Sequence, residues 1–522
     1  MCGILFSCQP SYDLTEALRS SDSLKPRGPD AARHIEHGGC FFAFRRLAIN
    51  DVSDAGMQPF VTAKHILICN GEIYNSRELQ ARFSYDLKSK SDCEIISHLV
   101  DDVGIGPALS LLQGVFAFVL YDKQTHEFVV ARDAVGIKSL YMNKERDVFG
   151  SELKALHPLC TSRIDMFPAG HYYESKSRRF VRHAVLDYQP DGLHVDLPIE
   201  KIHEEIRDRL SEAVRVRCVT SDRPVGCFLS GGLDSSLVAG LAARYLPGKL
   251  LTFSVGMENA TDLAAARLVA EHIGSEHHEL VVSEKEMLDA IPRVIRRIES
   301  YDTTTVRAST GMVLLSDWIK ANFPTTVVFS GEGADELSGS YKYFDKAPSP
   351  WEMQKESSRL LGDLQYFDVL RCDKSVSGSG LEARTPFLDM NFVSFYMRLD
   401  PRLKSNDVIE KNVLRNAFKG CNVIPDAILN RKKEAFSDGC SSMEKPWFSI
   451  IQAKCDEMIS DDEWKYMRDK YLHNKPTTKE GYWFRSIFEK WYEGRGSIVP
   501  YIWLPKWTGL SEPPVSARLL VT

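Results

Sequence analysis

Apolar positions along the chain divide it into two halves with different periods. Before residue 190, short apolar runs such as GVFAFVLYD and EFVVARD are joined by polar turns such as KQTH, which predicts antiparallel strands. Beyond residue 200, the periodic segment IHEEIRDRLSEAVRVR is followed by strand-like runs that alternate with helical stretches. This alternation predicts a parallel α/β sheet with its functional site at the carboxyl ends of the strands.

Four apolar runs are candidate strands of the second sheet, at 224–229, 250–255, 278–282 and 326–329. Between the halves, residues 185–200 are polar and contain Pro and Gly, as a linker would. We therefore predict two domains, over residues 1–190 and 205–522.

The stretch 225–237, VGCFLSGGLDSSL, predicts a buried strand that runs through a glycine turn into a helix, with apolar residues at helical spacing from Leu237 onward. Glycines let the backbone approach a ligand, and the free N–H groups and dipole of a helix N-terminus favour a phosphate. The small and hydroxyl residues at this helix N-terminus are Ser230, Gly231, Gly232, Asp234, Ser235 and Ser236. A glycine turn without a ligand is the alternative interpretation.

This loop lacks the Lys of a Walker P-loop. It resembles instead the SGGxDS loop of ATP pyrophosphatases, which split ATP between the α and β phosphates. The resemblance implies bound ATP and an AMP-transfer step.

Composition narrows the classes of partner. The 522 residues include 65 basic and 71 acidic side chains, and the net charge of −6 gives no positive field for nucleic acid or anionic membranes. Small-molecule substrates are therefore expected. The absence of an apolar run of roughly 20 residues and of a signal peptide predicts a soluble, cytoplasmic protein. Twelve cysteines without CxxC pairs argue against zinc or a disulfide framework.

Cys2 follows the initiator Met1, whose removal is expected because the Cys side chain is small. A mature amino-terminal cysteine would carry an α-amino group with a pKa of ~7.7–8.0, which could act as the base for its own thiol. Cys2 is therefore a candidate nucleophile. The alternative is an incidental cysteine at the second position.

An amide substrate with an amino-acid head group needs a cation for its carboxylate, an acid for its ammonium and two donors for the oxyanion. Arg46 is the candidate cation and Asp92 the candidate acid. Asn70 and Gly71 are predicted to lie in a turn after the strand ILICN and to provide the two donors. Taken singly, Arg46 could be a surface cation and Asn70-Gly71 an ordinary hairpin turn.

Residues 45–60 (RRLAINDVSDAGMQPF), 69–75 (CNGEIYN) and 91–94 (SDCE) resemble the glutaminase domain of class II glutamine amidotransferases. The resemblance covers most of residues 1–190 and implies an α+β N-terminal-nucleophile hydrolase fold of layered antiparallel sheets with helices. It also implies that Asn70 and Gly71 form the oxyanion hole, that the loop KPRGPD (25–30) borders the glutamine site, and that the glutamine pocket is lined by Leu47, Ala48, Ile49, Asn50 and Glu72. Ser139 stands where the family usually has Pro, which we interpret as a loop detail.

Carboxylates in the second half are candidates for metal binding and proton transfer. Asp234 and Asp335 are assigned to Mg²⁺, which binds through one or two carboxylates with phosphate oxygens and water. A charged surface loop is the alternative for Asp335. Glu332, flanked by two glycines in SGEGADEL, could take a proton from attacking ammonia.

The segments YDTTTVRAST (301–310) and LEARTPFLD (381–389), with the loops above, resemble the glutamine-hydrolysing asparagine synthetase family over residues 205 to about 440. The resemblance implies an α/β parallel-sheet domain of the ATP-pyrophosphatase type, in which adenine and ribose are surrounded by Leu229, Val255, Ser330 and Gly331. It also implies that Lys433 neutralises phosphate or adduct charge, although Lys432 lies beside it. The family's GGY is SGSYKY here, and the segment beyond 440 matches weakly.

An aspartate pocket could be built from Arg307, Glu382 and Arg384, although an internal ion pair of Glu382 with Arg384 is an equal alternative. The implied reaction releases ammonia from glutamine at Cys2 and passes it internally to a β-aspartyl-AMP made from aspartate and MgATP. The sequence does not specify the oligomeric state, and a homodimer is left open.

Three other functions remain as alternatives. A β-lactam-forming or other carboxylate-adenylating synthetase shares the architecture, but Cys2 with Arg46, Asn70 and Asp92 counts against it. A tRNA-modifying enzyme with the same ATP loop would need a basic face or a Cys pair, and the net charge of −6 and the lack of a CxxC pair count against it. A non-catalytic relative would not need complete residue sets at both sites.

Overall fold

The computed structural model describes residues 1–10, 12–188, 197–404, 409–434, 436–442 and 444–510. The chain forms two compact units. The first contains Met1–Leu186, Thr220–Pro224 and Val376–Glu382, and the second contains Asp187–Val219, Val225–Ser375 and Ala383–Thr522. The domain bounds stay a prediction, and the linker at 185–200 lies partly outside the described residues.

The strands are β1 (Gly3–Ser7), β2 (Ala31–His37), β3 (Cys40–Arg46), β4 (Phe60–Val61), β5 (His65–Ile73), β6 (Gly114–Asp122), β7 (Phe128–Arg132), β8 (Tyr141–Asn143), β9 (Val148–Gly150), β10 (Ile164–Met166), β11 (His171–Glu174), β12 (Arg179–Arg182), β13 (Val225–Phe228), β14 (Leu251–Gly256), β15 (Glu276–Val281), β16 (Val327–Phe329) and β17 (Glu382–Arg384).

The α-helices are α1 (Leu14–Asp22), α2 (Ser76–Phe83), α3 (Ile95–Val103), α4 (Ile105–Leu111), α5 (Leu153–Leu156), α6 (Ile199–Val219), α7 (Leu233–Tyr245), α8 (Thr261–Ile273), α9 (Glu284–Ile298), α10 (Thr303–Asn322), α11 (Ala334–Ser338), α12 (Pro350–Asp363), α13 (Asp368–Ser377), α14 (Met390–Arg398), α15 (Pro401–Lys404), α16 (Asn412–Phe418), α17 (Asp426–Leu429), α18 (Phe436–Gly439), α19 (Trp447–Met458), α20 (Asp461–Met467) and α21 (Lys479–Trp491).

The first unit contains two six-stranded sheets, with strand orders β10-β8-β9-β1-β3-β2 and β12-β11-β7-β6-β5-β4. Alternation along β5 shows how they pack: Ile66 and Ile68 join a core shared with β1 and β3, whereas Leu67 and Cys69 face a second core with α2, α3 and α4. Helices α1 and α5 pack on the other sheet. The predicted layered antiparallel fold is confirmed, including the pairing of β6 with β7.

The second unit contains the sheet β15-β14-β13-β16-β17, in which β13 pairs in parallel with β14 and β16, and β14 with β15. The predicted parallel α/β class is confirmed. The strand order reverses between β13 and β16, and ligands of open α/β sheets bind at such a switch point. The structure therefore places the SGGLDS loop after β13 beside the SGEGAD loop after β16.

Local details differ from the sequence predictions. Cys8 and Cys40 form a disulfide between the ends of β1 and β3, although no disulfide framework was expected. Strand pairing brings these cysteines together from 32 residues apart, which spacing alone does not reveal. Among the described residues, no helix has the length and apolar character needed to cross a membrane.

Candidate active sites

Cys2 lies directly before β1, half-buried, with its Sγ 3.6 Å from the Leu47 carbonyl oxygen to which it donates. Burial raises the pKa of this thiol to about 11. Met1 is attached in this structure and is only 2% exposed. Its amine lies 3.5 Å from Glu382 Oε2. In this form the thiol is protonated and has no free amine of its own to serve as base.

Asn70 is fully buried, and within the described part of the chain neither its Oδ1 nor its Nδ2 has a hydrogen-bond partner. Leaving a buried amide unpaired costs about 1–3 kcal/mol, so such a group needs an explanation. A substrate oxyanion that accepts from Nδ2 supplies one.

The predicted turn at Asn70-Gly71 is wrong. Both residues lie inside β5, where Asn70 is opposite Ala117 and Gly71 opposite Phe116 of β6. A Cβ at Gly71 would lie 2.6 Å from the Val115 carbonyl oxygen, so glycine permits the close approach of the two strands. Pairing with β6 therefore extends the strand through a dipeptide that usually signals a turn.

Three polar side chains of the expected glutamine pocket are joined by hydrogen bonds. Asn50 Nδ2 donates to Glu72 Oε2 at 2.6 Å and to Asp92 Oδ1 at 3.2 Å. The Ile73 N–H donates to Asp92 Oδ2 at 2.5 Å. Burial raises the pKa of Asp92 above its ordinary value. An ammonium group on a ligand would oppose this effect of burial, lower the pKa of Asp92 and favour the ionised carboxylate.

Arg46 is 5% exposed and its guanidinium is held by backbone carbonyls. Nη1 donates to Ser53 O at 2.7 Å and Nη2 to Asp51 O. The next residues line the same region: Leu47 O accepts from Cys2, the Ala48 N–H donates to Asp30 Oδ2 at 2.8 Å, and Ile49 is buried. The Asp30 contact places the KPRGPD loop against residues assigned to the glutamine pocket.

Sequence reasoning missed Arg27 in that loop. Its Nε donates to the Cys2 carbonyl oxygen at 3.0 Å, and its Nη1 pairs with Glu152 Oε1 at 3.0 Å. Arg27 therefore fixes the backbone of the candidate nucleophile. The position of Arg27 within the motif KPRGPD could have identified it.

A cavity opens in the second unit at the carboxyl ends of β13, β14 and β16. Predicted residues that line it are Leu229, Ser230, Gly232, Asp234, Ser235, Val255, Ser330, Gly331, Glu332, Asp335 and Lys433. Gly231 does not line it but shapes the turn, because its φ is +73° and a Cβ would lie 2.5 Å from Ala266 N of α8.

The two loops at this cavity pack closely. Ser230 Oγ lies 3.0 Å from Ser235 Oγ, and the Gly232 N–H donates to Ser230 Oγ at 3.3 Å. A Cβ at Gly331 would lie 2.9 Å from Cβ of Asp234. Only glycine therefore lets the loop after β16 reach the start of α7.

Two lysines neutralise the assigned metal ligands. Lys411 Nζ lies 2.5 Å from Asp234 Oδ2 and 2.7 Å from Asp335 Oδ1, and Lys433 Nζ pairs with Asp335 Oδ2. Burial alone would raise the pKa of Asp335, but the two ammonium groups hold it well below its usual range. Burial would lower the pKa of Lys433, and Asp335 instead raises it. Lys411 was missed because no motif marks it.

Glu332 is paired with Arg371, whose Nη2 lies 2.9 Å from Glu332 Oε2 and 2.7 Å from Asp368 Oδ1. Burial raises the pKa of Glu332 to about 7, against the opposing effect of Arg371. This carboxyl can therefore exchange a proton near neutral pH. Arg371 also lines the cavity and was not identified from sequence.

The three charged residues suggested for an aspartate pocket are engaged by other protein groups in this structure. Arg307 is engaged in a buried ion pair with Glu480, and Arg384 Nη1 donates to Arg217 O at 2.5 Å. Glu382 Oε2 lies 3.4 Å from Lys138 Nζ in the first unit. From the motif at 301–310, the cavity is instead lined by Asp302, Thr304, Thr305 and Ala308.

The two units have the folds of a glutamine amidotransferase joined to a synthetase of the asparagine synthase type. Residues 1–185 match the family model for the glutamine amidotransferase domain, and residues 205–361 and 350–508 match that for asparagine synthase. The chain is 42% identical to the chicken (Gallus gallus) glutamine-hydrolysing asparagine synthetase and 41% identical to the cattle (Bos taurus) and human (Homo sapiens) enzymes, covering 100% of this chain and 98% of each relative. The chain belongs to the glutamine-hydrolysing asparagine synthetase family.

Proposed function

We propose that the chain makes L-asparagine from L-aspartate, L-glutamine and ATP, with AMP and pyrophosphate as products. The observation that carries this proposal is the cavity of the second unit, where a phosphate-type loop and Glu332, a carboxyl with a pKa of about 7, line one space. Activation of a carboxylate and deprotonation of an amine nucleophile require these two elements together.

In the first unit, removal of Met1 gives Cys2 a free α-amine that accepts the thiol proton. The thiolate attacks the glutamine amide carbon, and the oxyanion is stabilised by Asn70 Nδ2 and the Gly71 N–H. Collapse of the adduct releases ammonia and leaves a γ-glutamyl thioester, which water hydrolyses. Arg46 binds the substrate carboxylate, and Asp92 binds its ammonium group.

The oxyanion role predicts that Asn70→Ala lowers kcat for glutamine hydrolysis about 10²- to 10³-fold with little change in KM, because the lost donor acts mainly in the transition state. Steady-state glutaminase kinetics measure this. Ammonia-dependent synthesis by the same variant is the control and should stay at the wild-type rate. An equal loss of both activities would contradict the role.

In the second unit, aspartate attacks the α-phosphorus of ATP to give β-aspartyl-AMP and pyrophosphate. Lys433 neutralises phosphate charge, and the SGGLDS loop donates N–H groups to the pyrophosphate. Asp234 and Asp335 fit Mg²⁺, because Asp335 is held ionised and Asp234 Oδ1 is buried without a partner in the described chain. The ion, when bound, supplies further neutralisation of phosphate charge.

Asp234→Ala should weaken MgATP binding by about tenfold or more, since it removes a carboxylate from the cation site. Isothermal titration with MgATP measures the change. In a matched titration with ATP and a chelator, the wild type and the variant should bind ATP with the same affinity. If the difference persists without Mg²⁺, Asp234 does not act through the metal.

Ammonia then attacks the acyl carbon, Glu332 accepts a proton from the adduct, and the bond to AMP breaks. Mass spectrometry of the products from glutamine, aspartate and ATP tests this reaction directly: asparagine and AMP in equal amounts are expected. A β-lactam-forming or other adenylating synthetase would yield no asparagine. The homodimer and the cytoplasmic location stay predictions, testable by sedimentation and by cell fractionation.

A further inference from the structure

The C-terminal segment contributes a wall to the synthetase cavity. Trp503 lines that cavity, and among the described residues it is the one lining residue beyond Glu434. The segment beyond 440 had no assigned role from sequence.

The backbone of Trp503 is held by Asp302, the residue that caps α10. Its backbone N–H donates to Asp302 Oδ1 at 3.0 Å, and Asp302 Oδ2 caps α10 by accepting from the Thr305 N–H at 2.9 Å. Asp302 and Thr305 themselves line the cavity. One carboxylate thus fixes both the start of α10 and the position of Trp503.

The Trp503 indole packs into an aromatic group. Its ring centroid is 6.1 Å from that of Tyr341 and 5.9 Å from that of Tyr343. Tyr341 also lines the cavity, and its hydroxyl donates to Glu336 Oε1 at 2.6 Å. Trp503 therefore continues an apolar surface that starts at Tyr341, shortly after α11, the helix that carries Asp335 and Glu336.

Two residues earlier, Tyr501 packs against the start of α13. Its ring is 5.1 Å from that of Phe367, and its hydroxyl donates to Asp363 at 2.5 Å and accepts from Arg359 at 2.8 Å. Phe367 lines the cavity and precedes Asp368, which with Glu332 holds Arg371. The segment is thus anchored at the end of the cavity that contains Glu332.

We infer that Trp503 shields the Glu332 end of the cavity from water, so that the acyl adenylate reacts with ammonia rather than with water. This inference rests on the proposed function. In the competing reaction, water oxygen bonds to the acyl carbon, the carbon–oxygen bond to AMP breaks, and aspartate, AMP and a proton are released. An indole wall lowers the local water concentration without adding a reactive group.

The test measures pyrophosphate released per asparagine formed, with ammonia as the nitrogen source. The wild type should give a ratio near one, and Trp503→Ala should raise it at least about twofold because water enters the opened wall. In oxygen-labelled water, the variant should also place label in recovered aspartate. Trp503→Phe should restore most of the coupling.

Trp507→Ala is the matched control. Trp507 packs on Tyr343 and Phe344 in the same aromatic group but does not line the cavity. The ratio of pyrophosphate to asparagine in Trp507→Ala should stay at the wild-type value even if the stability of the variant falls. Trp503→Leu keeps apolar bulk and replaces Trp503→Ala should the latter not fold; a smaller rise in the ratio is expected.

An unchanged ratio in folded Trp503→Ala, or in Trp503→Leu when it substitutes, overturns the inference, as does an equal rise in Trp507→Ala. Failure of the wild type to release pyrophosphate with aspartate would instead overturn the proposed function. The two failures are therefore distinguishable.

Discussion

Replacement of Cys2 by Ala is expected to lower glutamine-dependent asparagine formation about 10³-fold or more, because no other group in the site replaces the attacking thiolate. Ammonia-dependent formation should remain, since the second unit's cavity is built from its own residues. Parallel assays with glutamine and with ammonium salt measure the two activities. Loss of both in a folded variant would contradict the two-site account.

The same account requires Met1 to be removed. Burial raises the pKa of the Cys2 thiol to about 11, so the thiol needs a base, and its own α-amine becomes free only when Met1 is removed. Intact-mass measurement of the active protein should therefore show Cys2 at the amino terminus. Cys160→Ala is a suitable control variant, because Cys160 is a buried cysteine of the first unit and takes no part in the chemistry proposed.

Glu332→Gln should lower asparagine formation about 10²- to 10⁴-fold with either nitrogen source, since it removes the group that accepts the proton. Gln is similar in size to Glu, so the phosphate loop should still bind MgATP. Aspartate-dependent release of pyrophosphate should then exceed asparagine formation. Equal loss of both products would assign Glu332 to the adenylation step instead.

The pH profile gives a second test of this residue. Because burial raises the Glu332 pKa to about 7, the carboxyl is protonated and inactive as a base below that pH and ionised above it. The wild-type rate, expressed per concentration of unprotonated ammonia, should rise through pH 7 and then level off. Glu332→Gln should lack this step, and a step retained in the variant would mean that another group titrates.

Local motifs were predictable because their chemistry is contained in a few adjacent residues. The strand–turn–helix at 225–237 was predictable from its apolar runs and glycines, and the structure forms it as β13 and α7. The periodic helix before it was likewise predicted, and α6 extends it at both ends. The pattern that predicts these elements is contained in neighbouring residues.

Features set by distant strands or segments were not predictable in this way. Asn70-Gly71 continues a strand because β6 pairs with it, and sequence spacing does not report that pairing. Lys411, Arg371 and Trp503 reach the cavity from separate parts of the chain and belong to no quoted motif. Arg307 fits a recognisable motif but is paired with Glu480, 173 residues away.

The central claim is that nitrogen released from glutamine in the first unit becomes the amide of asparagine made in the second. The most direct test supplies glutamine labelled with heavy nitrogen at the amide, together with aspartate and MgATP, and analyses the asparagine by mass spectrometry. The account predicts labelled asparagine, with one AMP formed per labelled molecule. Asparagine without the label, or ATP turnover without asparagine, would contradict it.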